Sequence, residues 1–337
     1  MELHEAKYYR KKDEKTVQCL LCPHNCIIKE GKLGICKTKK NINGKLYSLA
    51  YSNPCAVHID PIEKKPLQHF LPGSLAFSIA TAGCNLNCKN CQNWEISQIS
   101  PLEIDNYFLP PEEVVLQAKK TNCRSIAYTY TDPTAFYEYT LETAKIAKKK
   151  GIKNVFISAG YINEAPLKEL APYLDAANID LKSFSDEIYR KLNAGRLKPV
   201  LRTLEILKQY NVWIEITNLV IPNWTDDLNM IKQMCQWLVD NGFEKYPLHF
   251  SRFTPMYKLT NIPQTSVSIL EKARDIAMEV GMKYVFIGNV WGHPAENTYC
   301  PSCGNPVIER YGFSLQKINM TNGKCNVCGY PIDGIWE

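Results

Sequence analysis

Cys84, Cys88 and Cys91 stand in the stretch GCNLNCKNCQNWEIS (83–97) at a C-x3-C-x2-C spacing, with no fourth cysteine in the stretch. Gaps this short let several thiolates reach one metal centre. The chain is large and opens on the charged run MELHEAKYYRKKDEK, which lacks the apolar core of a signal peptide, so clustered cysteines read as metal ligands rather than disulfides. Three thiolates on a cubane 4Fe-4S cluster leave one iron without a protein ligand. An open position is what a catalytic site needs and a structural site avoids. A zinc site completed by a distant histidine is the other reading of the same spacing. So soft a donor set excludes calcium, magnesium and manganese.

Two further groups are complete where this one is not. CPSCG (300–304) and CNVCG (325–329) repeat a C-x-x-C-G turn. Each turn offers two thiolates to one metal and the glycine permits the tight backbone, so Cys300, Cys303, Cys325 and Cys328 read as a tetrahedral zinc ribbon. Such a ribbon either binds a partner or closes the end of a fold. The net charge of +6, from 40 Lys+Arg against 34 Asp+Glu, is too small to argue for nucleic acid and favours the second. Cys19, Cys22, Cys26 and Cys36, in CLLCPHNC and GKLGIC, also fill a four-ligand site. Zinc and a second iron–sulfur cluster both take four thiolates; zinc is preferred, although the glycine knuckle of the ribbon is missing. His24 reads as a cap or surface histidine. Cys55, Cys123 and Cys235 stand alone.

The elements that must carry these groups alternate along the middle of the chain. Apolar runs rich in β-branched and aromatic residues, LAFSIAT (75–81), SIAYTY (125–130), NVFIS (154–158), AANIDL (176–181), VWIEITNLVI (212–221), LHFSRF (248–253) and YVFIG (284–288), predict strands. Between them lie stretches of helical periodicity. TAFYEYTLETAKIAKKKG (134–151) ends in lysines and a glycine, as a helix C-terminus does, and PPEEVVLQAKKTN (110–122) begins with prolines and acids, as an N-terminus does. Repeated strand–helix units imply parallel strands with right-handed crossovers, in a barrel, part of one, or a doubly wound open sheet; no G-x-G-x-x-G supports a dinucleotide fold. The division expected is a four-cysteine lobe at 1–70, the α/β body at 71–296 and the ribbon at 297–337. No apolar run is long enough to cross a bilayer, and a cytoplasmic protein is expected.

The cysteine loop directly after the first predicted strand resembles the radical S-adenosylmethionine (SAM) superfamily. In order follow or flank it VHIDPIEKKPLQHFLPGS (57–74), CQNWEIS (91–97), AYTYTDPTAFYEY (127–139), NIDLKSF (178–184), LVIPNWTDD (219–227), HFSRFTPMYKL (249–259) and YVFIGNVWGHPAENTYCPSCG (284–304). With CLLCPHNC and the ribbon, this set resembles the radical SAM enzyme of the AmmeMemoRadiSam system, itself similar to the activating enzymes of pyruvate formate-lyase, over nearly the whole chain. The resemblance implies an α/β fold: a partial (β/α)6 TIM-like barrel with small metal-binding N- and C-terminal lobes and the cluster at the C-terminal end of the strands. It implies that Cys84, Cys88 and Cys91 hold a 4Fe-4S cluster whose open iron binds SAM. Thr129, Thr131 and Asp132, in YTYTDP, would meet the methionyl amine, with Asp132 where relatives carry Glu. Ser158, with Ala159 and Gly160, would approach the ribose or carboxylate. Asp180 and Lys182, in IDLK, would lie at the SAM site, with Arg252 as an inward cation and Asn218 and His249 near it. Asn90 occupies a position beside the adenine that is often aromatic; Trp94 is the replacement stacking group. Asp60, Glu63, Lys64 and Lys65, a solvated charge run on the bare sequence, would lie over the barrel mouth.

The activity implied is reductive cleavage of SAM to methionine and a 5′-deoxyadenosyl radical that takes hydrogen from a substrate, small molecule, peptide or RNA. An electron donor such as flavodoxin or ferredoxin and partner proteins of the same system are implied as well. An activase acting on a glycyl-radical partner protein is the alternative within the class. A non-enzymatic zinc protein binding RNA or protein is the alternative outside it.

Overall fold

The structure, a computed structural model, describes residues 3–337; Met1 and Glu2 of the expected N-terminal lobe lie outside the described residues. An eight-stranded sheet forms its centre. Strand β1 (Ala56–Pro61) pairs antiparallel with β2 (Leu75–Ala80). From β2 the strands run parallel and lie side by side in chain order: β3 (Ser125–Tyr128), β4 (Lys153–Ser158), β5 (Ala176–Asp180), β6 (Trp213–Val220), β7 (Leu248–Arg252) and β8 (Val285–Gly288). Among the described residues, six helices of seven residues or more connect them: α1 (Pro111–Lys120), α2 (Tyr137–Lys149), α3 (Glu164–Leu170), α4 (Leu197–Gln209), α5 (Leu228–Asp240) and α6 (Val267–Val280). Consecutive parallel neighbours joined by right-handed crossovers keep every helix on one face and curl the sheet. The strands end at β1 and β8 without pairing to each other among the described residues, so the curl is a partial barrel.

Local chemistry sets these elements. The parallel strands are covered on both faces, which is why all four residues of β3 are buried and why the strands read as continuous apolar runs. Helix α1 starts on prolines with Glu112 and Glu113 in its first turn and ends on Lys119 and Lys120, matching the helix dipole. Helix α2 stops at Gly151, whose φ of +73° lets the Ile152 amide reach back to the Ala147 carbonyl at 3.0 Å. The expected (β/α)6 pattern is present as β2 to α6, and β8 adds a seventh parallel strand.

Two small sheets, one of Tyr9–Lys11, Thr16–Cys19 and Ile27–Lys29 and one of His4–Glu5, Lys45–Ser48 and Lys39–Ile42, form the N-terminal part. They dock on α2 through Lys39, fully buried, which meets Ser48 Oγ at 3.0 Å and the buried Glu138 carboxylate. The C-terminal part builds a sheet from Thr298–Tyr299, Pro306–Tyr311 and Ser314–Ile318 and a hairpin from Met320–Thr321 and Lys324–Cys325. Its tail returns to the body, where the Leu71 amide donates to the Ile335 carbonyl at 2.7 Å and the Ile335 amide donates to the His69 carbonyl at 2.8 Å.

The DPIEKKP segment corrects one expectation. Asp60 lies opposite Ala76, at the start of β2 and away from its C-terminal end, so the segment does not sit over the mouth. Nor is it a solvated run: Asp60, Glu63 and Lys65 are buried. Lys65 Nζ meets Asp60 at 2.6 Å, Lys64 at 2.8 Å, and Glu63 accepts from the Gly73 amide at 2.7 Å with Arg310 4.0 Å away. Pairing is what permits charges at such burial.

Candidate active site

The loop carrying Cys84, Cys88 and Cys91 leaves β2 at the C-terminal end of the parallel strands, the side on which barrels of this kind build their sites. It is tied down from several elements. The Asn87 and Lys89 amides donate to the carbonyls of Asn193 (3.1 Å) and Leu192 (2.9 Å), and the Lys258 amide donates to the Lys89 carbonyl at 2.9 Å. Asn85 Nδ2 reaches the Tyr161 carbonyl at 2.7 Å, and Asn93 Nδ2 the Tyr130 carbonyl at 2.7 Å. The loop's conformation is therefore fixed by its surroundings.

Each thiol has one polar neighbour aimed at its sulfur. The Leu86 amide points at Cys84 Sγ (3.5 Å), Asn193 Nδ2 at Cys88 Sγ (3.3 Å), and Ser97 Oγ lies 3.2 Å from Cys91 Sγ. Burial, helped by the nearby Asp132 carboxylate, pushes the Cys84 thiol well above its usual range. Burial raises Cys88 too, opposed by the Lys182 ammonium. A coordinating metal reverses this, since a bound thiol is deprotonated outright.

Around the loop stand several of the sequence-derived candidates. Asp180 and Lys182 meet at 2.8 Å where β5 ends, and the Lys182 amide donates to Tyr189 Oη at 2.9 Å. Burial alone would depress Lys182, but the Asp180 carboxylate and the Cys88 thiol lift it above the ordinary lysine value. Asp132 is more committed than expected: it accepts from the Thr134 amide (2.9 Å), Ser158 Oγ (3.0 Å) and the Ala159 amide (2.8 Å). Three of the roughly four lone-pair sites of its carboxylate are thus in use. Thr131 Oγ1 binds the Thr81 carbonyl at 2.8 Å, and the Thr129 amide the Ile79 carbonyl at 3.1 Å, so YTYTDP is sewn to the root of the cysteine loop. The Gly160 amide donates to Ser158 Oγ at 3.0 Å.

Other candidates lie less directly. Arg252 donates through Nε to the Thr265 carbonyl at 2.8 Å. Asn218 Nδ2 binds the Leu181 carbonyl at 2.8 Å. His249 does not join the site: its Nε2 lies 2.7 Å from Glu215, which also accepts from the Gln68 and His69 amides deep inside the barrel. Trp94 stacks on Tyr257, with ring centroids 5.3 Å apart at 10°. Asn193, Ser97 and Tyr257 escaped sequence reasoning, because only tertiary folding brings them to the loop.

The donor set fits an iron–sulfur cluster with an open iron. Asn90, Asn193 and Asn218 each bury a side-chain carbonyl oxygen that has no protein partner, a pattern that asks for a ligand beside the loop. At the C-terminus the fit is to a single ion. Cys300 and Cys328 sulfurs are 3.6 Å apart, and those of Cys303 and Cys325 3.8 Å. Asn305 amide contacts lower Cys303 to about 6.

The Radical SAM superfamily matches residues 78–238, from β2 through most of α5. The chain belongs to the radical SAM superfamily. This radical SAM protein is 47% identical over 333 residues to an uncharacterized protein of Methanocaldococcus jannaschii, covering 98% of the chain and 99% of the relative. It is 23% identical over 221 residues to the pyruvate formate-lyase 1-activating enzyme of Escherichia coli, covering 60% of this chain and 89% of that one. Among solved structures, Streptococcus suis SuiB bound to S-adenosylmethionine aligns with a TM-score of 0.48 and 14% identity, over 65% of this chain and 49% of SuiB. Members of the superfamily are enzymes. No helix of the described residues is long and apolar enough to cross a membrane.

Proposed function

We propose that this protein is a SAM-dependent radical enzyme whose cluster is held by Cys84, Cys88 and Cys91. The observation that carries the reading is the trio of thiols at the barrel mouth, each with one polar group aimed at its sulfur, beside the Asp180–Lys182 pair. When bound, the cluster supplies one electron to the sulfonium of SAM, giving methionine and a 5′-deoxyadenosyl radical.

The chain's own part is placement. Asp180 and Lys182 present a carboxylate and an ammonium to the zwitterionic methionyl end of SAM. Asp132 holds the ends of β3 and β4 together and keeps one acceptor site for an amine. Arg252 offers a cation to a carboxylate, and Asn90 and Asn218 turn buried carbonyls toward donors. The stacked Trp94 and Tyr257 wall one side against water, which protects a radical from side reactions. Tetrahedral zinc at about 2.3 Å from each sulfur puts sulfurs about 3.8 Å apart, and the spacing at Cys300, Cys303, Cys325 and Cys328 supports zinc there as a structural closure.

The motifs quoted from 57 to 304 support placing the protein in the AmmeMemoRadiSam system, with that system's partner proteins and a flavodoxin- or ferredoxin-type donor. Likeness to an activating enzyme supports a protein or peptide as the hydrogen source. The test is anaerobic reconstitution, reduction with dithionite and addition of SAM. The wild type should release 5′-deoxyadenosine and the Cys84→Ala/Cys88→Ala/Cys91→Ala variant none. A wild type that binds iron yet leaves SAM intact would sink the reading. Deuterium recovered in 5′-deoxyadenosine from labelled candidate substrates then reports where hydrogen is taken.

A further inference from the structure

Cys19, Cys22, Cys26 and Cys36 line one partly open cavity of about 20 Å³, room for a water-sized group. Cys19 and Cys22 are buried, and Cys26 and Cys36 half-buried. The walls between them are mainly apolar, Ile28 among them. The turn Cys22-Pro-His-Asn-Cys26 is closed by Asn25 at a φ of +46°, which does the work that glycine does in a zinc knuckle.

The two four-cysteine groups differ in shape. In the C-terminal group the donor atoms all lie within 4.8 Å of one another, and among the described residues it is the only set of three or more such side chains that do. That is the compact shape a single zinc ion imposes. The N-terminal thiols are spread wider than that, around a cavity that admits a water-sized group. A cubane places each thiolate on a different iron and so spreads the sulfurs about a core.

The position is equally specific. Asn85, next to Cys84, lines the same cavity, as do Thr134 and Ala135, which follow the Asp132 turn. His24 Nε2 lies 2.7 Å from the Asn85 carbonyl. Thr38 Oγ1 sits 3.1 Å from Cys36 Sγ and donates to the Ala135 carbonyl at 2.7 Å. The cavity therefore shares a wall with the catalytic loop, and one of its sulfurs already has a hydroxyl beside it.

We propose that Cys19, Cys22, Cys26 and Cys36 ligate a second 4Fe-4S cluster directly behind the cysteine loop, in place of the zinc preferred from the sequence. The assignment stands apart from SAM cleavage, because it concerns ligands that the Cys84 loop does not supply.

The test uses the full chain carrying Cys84→Ala, Cys88→Ala and Cys91→Ala, reconstituted anaerobically with iron and sulfide in the presence of zinc. It should stay brown, hold about four irons and four sulfides per chain with about one zinc, and give an electron paramagnetic resonance signal on reduction with dithionite. A colourless protein with about two zincs overturns the proposal. Should that variant not stay soluble, Cys22→Ser/Cys36→Ser in the otherwise native chain reads the same quantity. Its iron should fall from about eight to about four per chain, and an unchanged iron content overturns the assignment. Failure of the SAM reading would look different, as loss of 5′-deoxyadenosine with both iron counts as stated.

Discussion

Lys182 and Asp180 lie 2.8 Å apart and are part-exposed, and a pair of that kind contributes at most about 1 kcal/mol to stability. On the proposed function their worth is at the mouth, beside Cys88. Lys182→Met should therefore move the melting temperature by less than about 2 °C. The same variant should raise the SAM concentration for half-maximal 5′-deoxyadenosine formation about tenfold or more, since a charge-assisted contact to the ligand is lost. A variant that loses stability but keeps its SAM dependence would assign the pair to the scaffold instead. Gly83 makes the opposite case. Its φ is +94°, and a Cβ there would lie 2.5 Å from the Cys36 carbonyl oxygen and 2.5 Å from Thr38 Cγ2. Gly83→Ala should cost on the order of 2 kcal/mol and reduce iron retention, read by denaturant titration and metal analysis. The thiols and the Asp-Leu-Lys stretch were readable because their chemistry is written in consecutive residues. Asn193 was not, because nothing near it in KLNAG marks a side chain that will point at a sulfur 105 positions earlier.

At the level of elements, strands were the most legible part. Parallel strands are buried on both faces, so each is an unbroken β-branched and aromatic run, and β2 to β8 fall within the stretches read from the sequence except that β4 begins one residue earlier, at Lys153. β1 was less so. The sequence division placed it with the first lobe, yet it extends the central sheet antiparallel to β2, a pairing set by register and not by its own pattern. Helix α2 illustrates how an element carries a lobe: Glu138, fully buried, holds Lys39 across the junction and also accepts from the Lys7 amide at 2.9 Å. Burial would raise Glu138, but the Lys39 ammonium keeps it below its usual value. Removing one partner leaves a lone charge in the interior. Glu138→Ala should cost about 3–5 kcal/mol. Lys39→Met/Glu138→Leu should recover most of that, short of about 1 kcal/mol for the Lys7 amide left without an acceptor. Equal losses in the single and double variants, measured by denaturant unfolding, would show that the pair's charge is not what matters.

For the whole molecule, the lobes at the two ends dock on the barrel by different means, and the residues that dock them were not readable from local pattern. The C-terminal part docks through buried groups drawn from three places in the chain. Arg310 donates to the Gln68 carbonyl at 2.6 Å and Thr298 Oγ1 at 3.1 Å. His69, wholly buried, lies with Nδ1 2.7 Å from the Asp333 carbonyl and Nε2 3.0 Å from Thr298 Oγ1. That geometry suits a neutral ring that donates at Nδ1 and accepts at Nε2. Burial, only partly opposed by Glu215, depresses His69 from 6.5 to about 4. In the unfolded chain the ring takes a proton below about pH 6.5, while in the folded protein it resists until about pH 4. Its contribution is thus complete above pH 6.5, declines as pH falls through that window, and amounts to about 3 kcal/mol in full. Acid weakens any metal–thiolate site too, so the measurement must be a difference between variants. His69→Gln should be less stable than wild type at pH 7, because two buried hydrogen bonds change. Its unfolding free energy should nevertheless fall less steeply between pH 6.5 and 4, so the two curves converge toward pH 4. Parallel curves across that range would mean that His69 takes its proton equally well in both states, and that the docking of the C-terminal part has no acid sensitivity of its own at this residue.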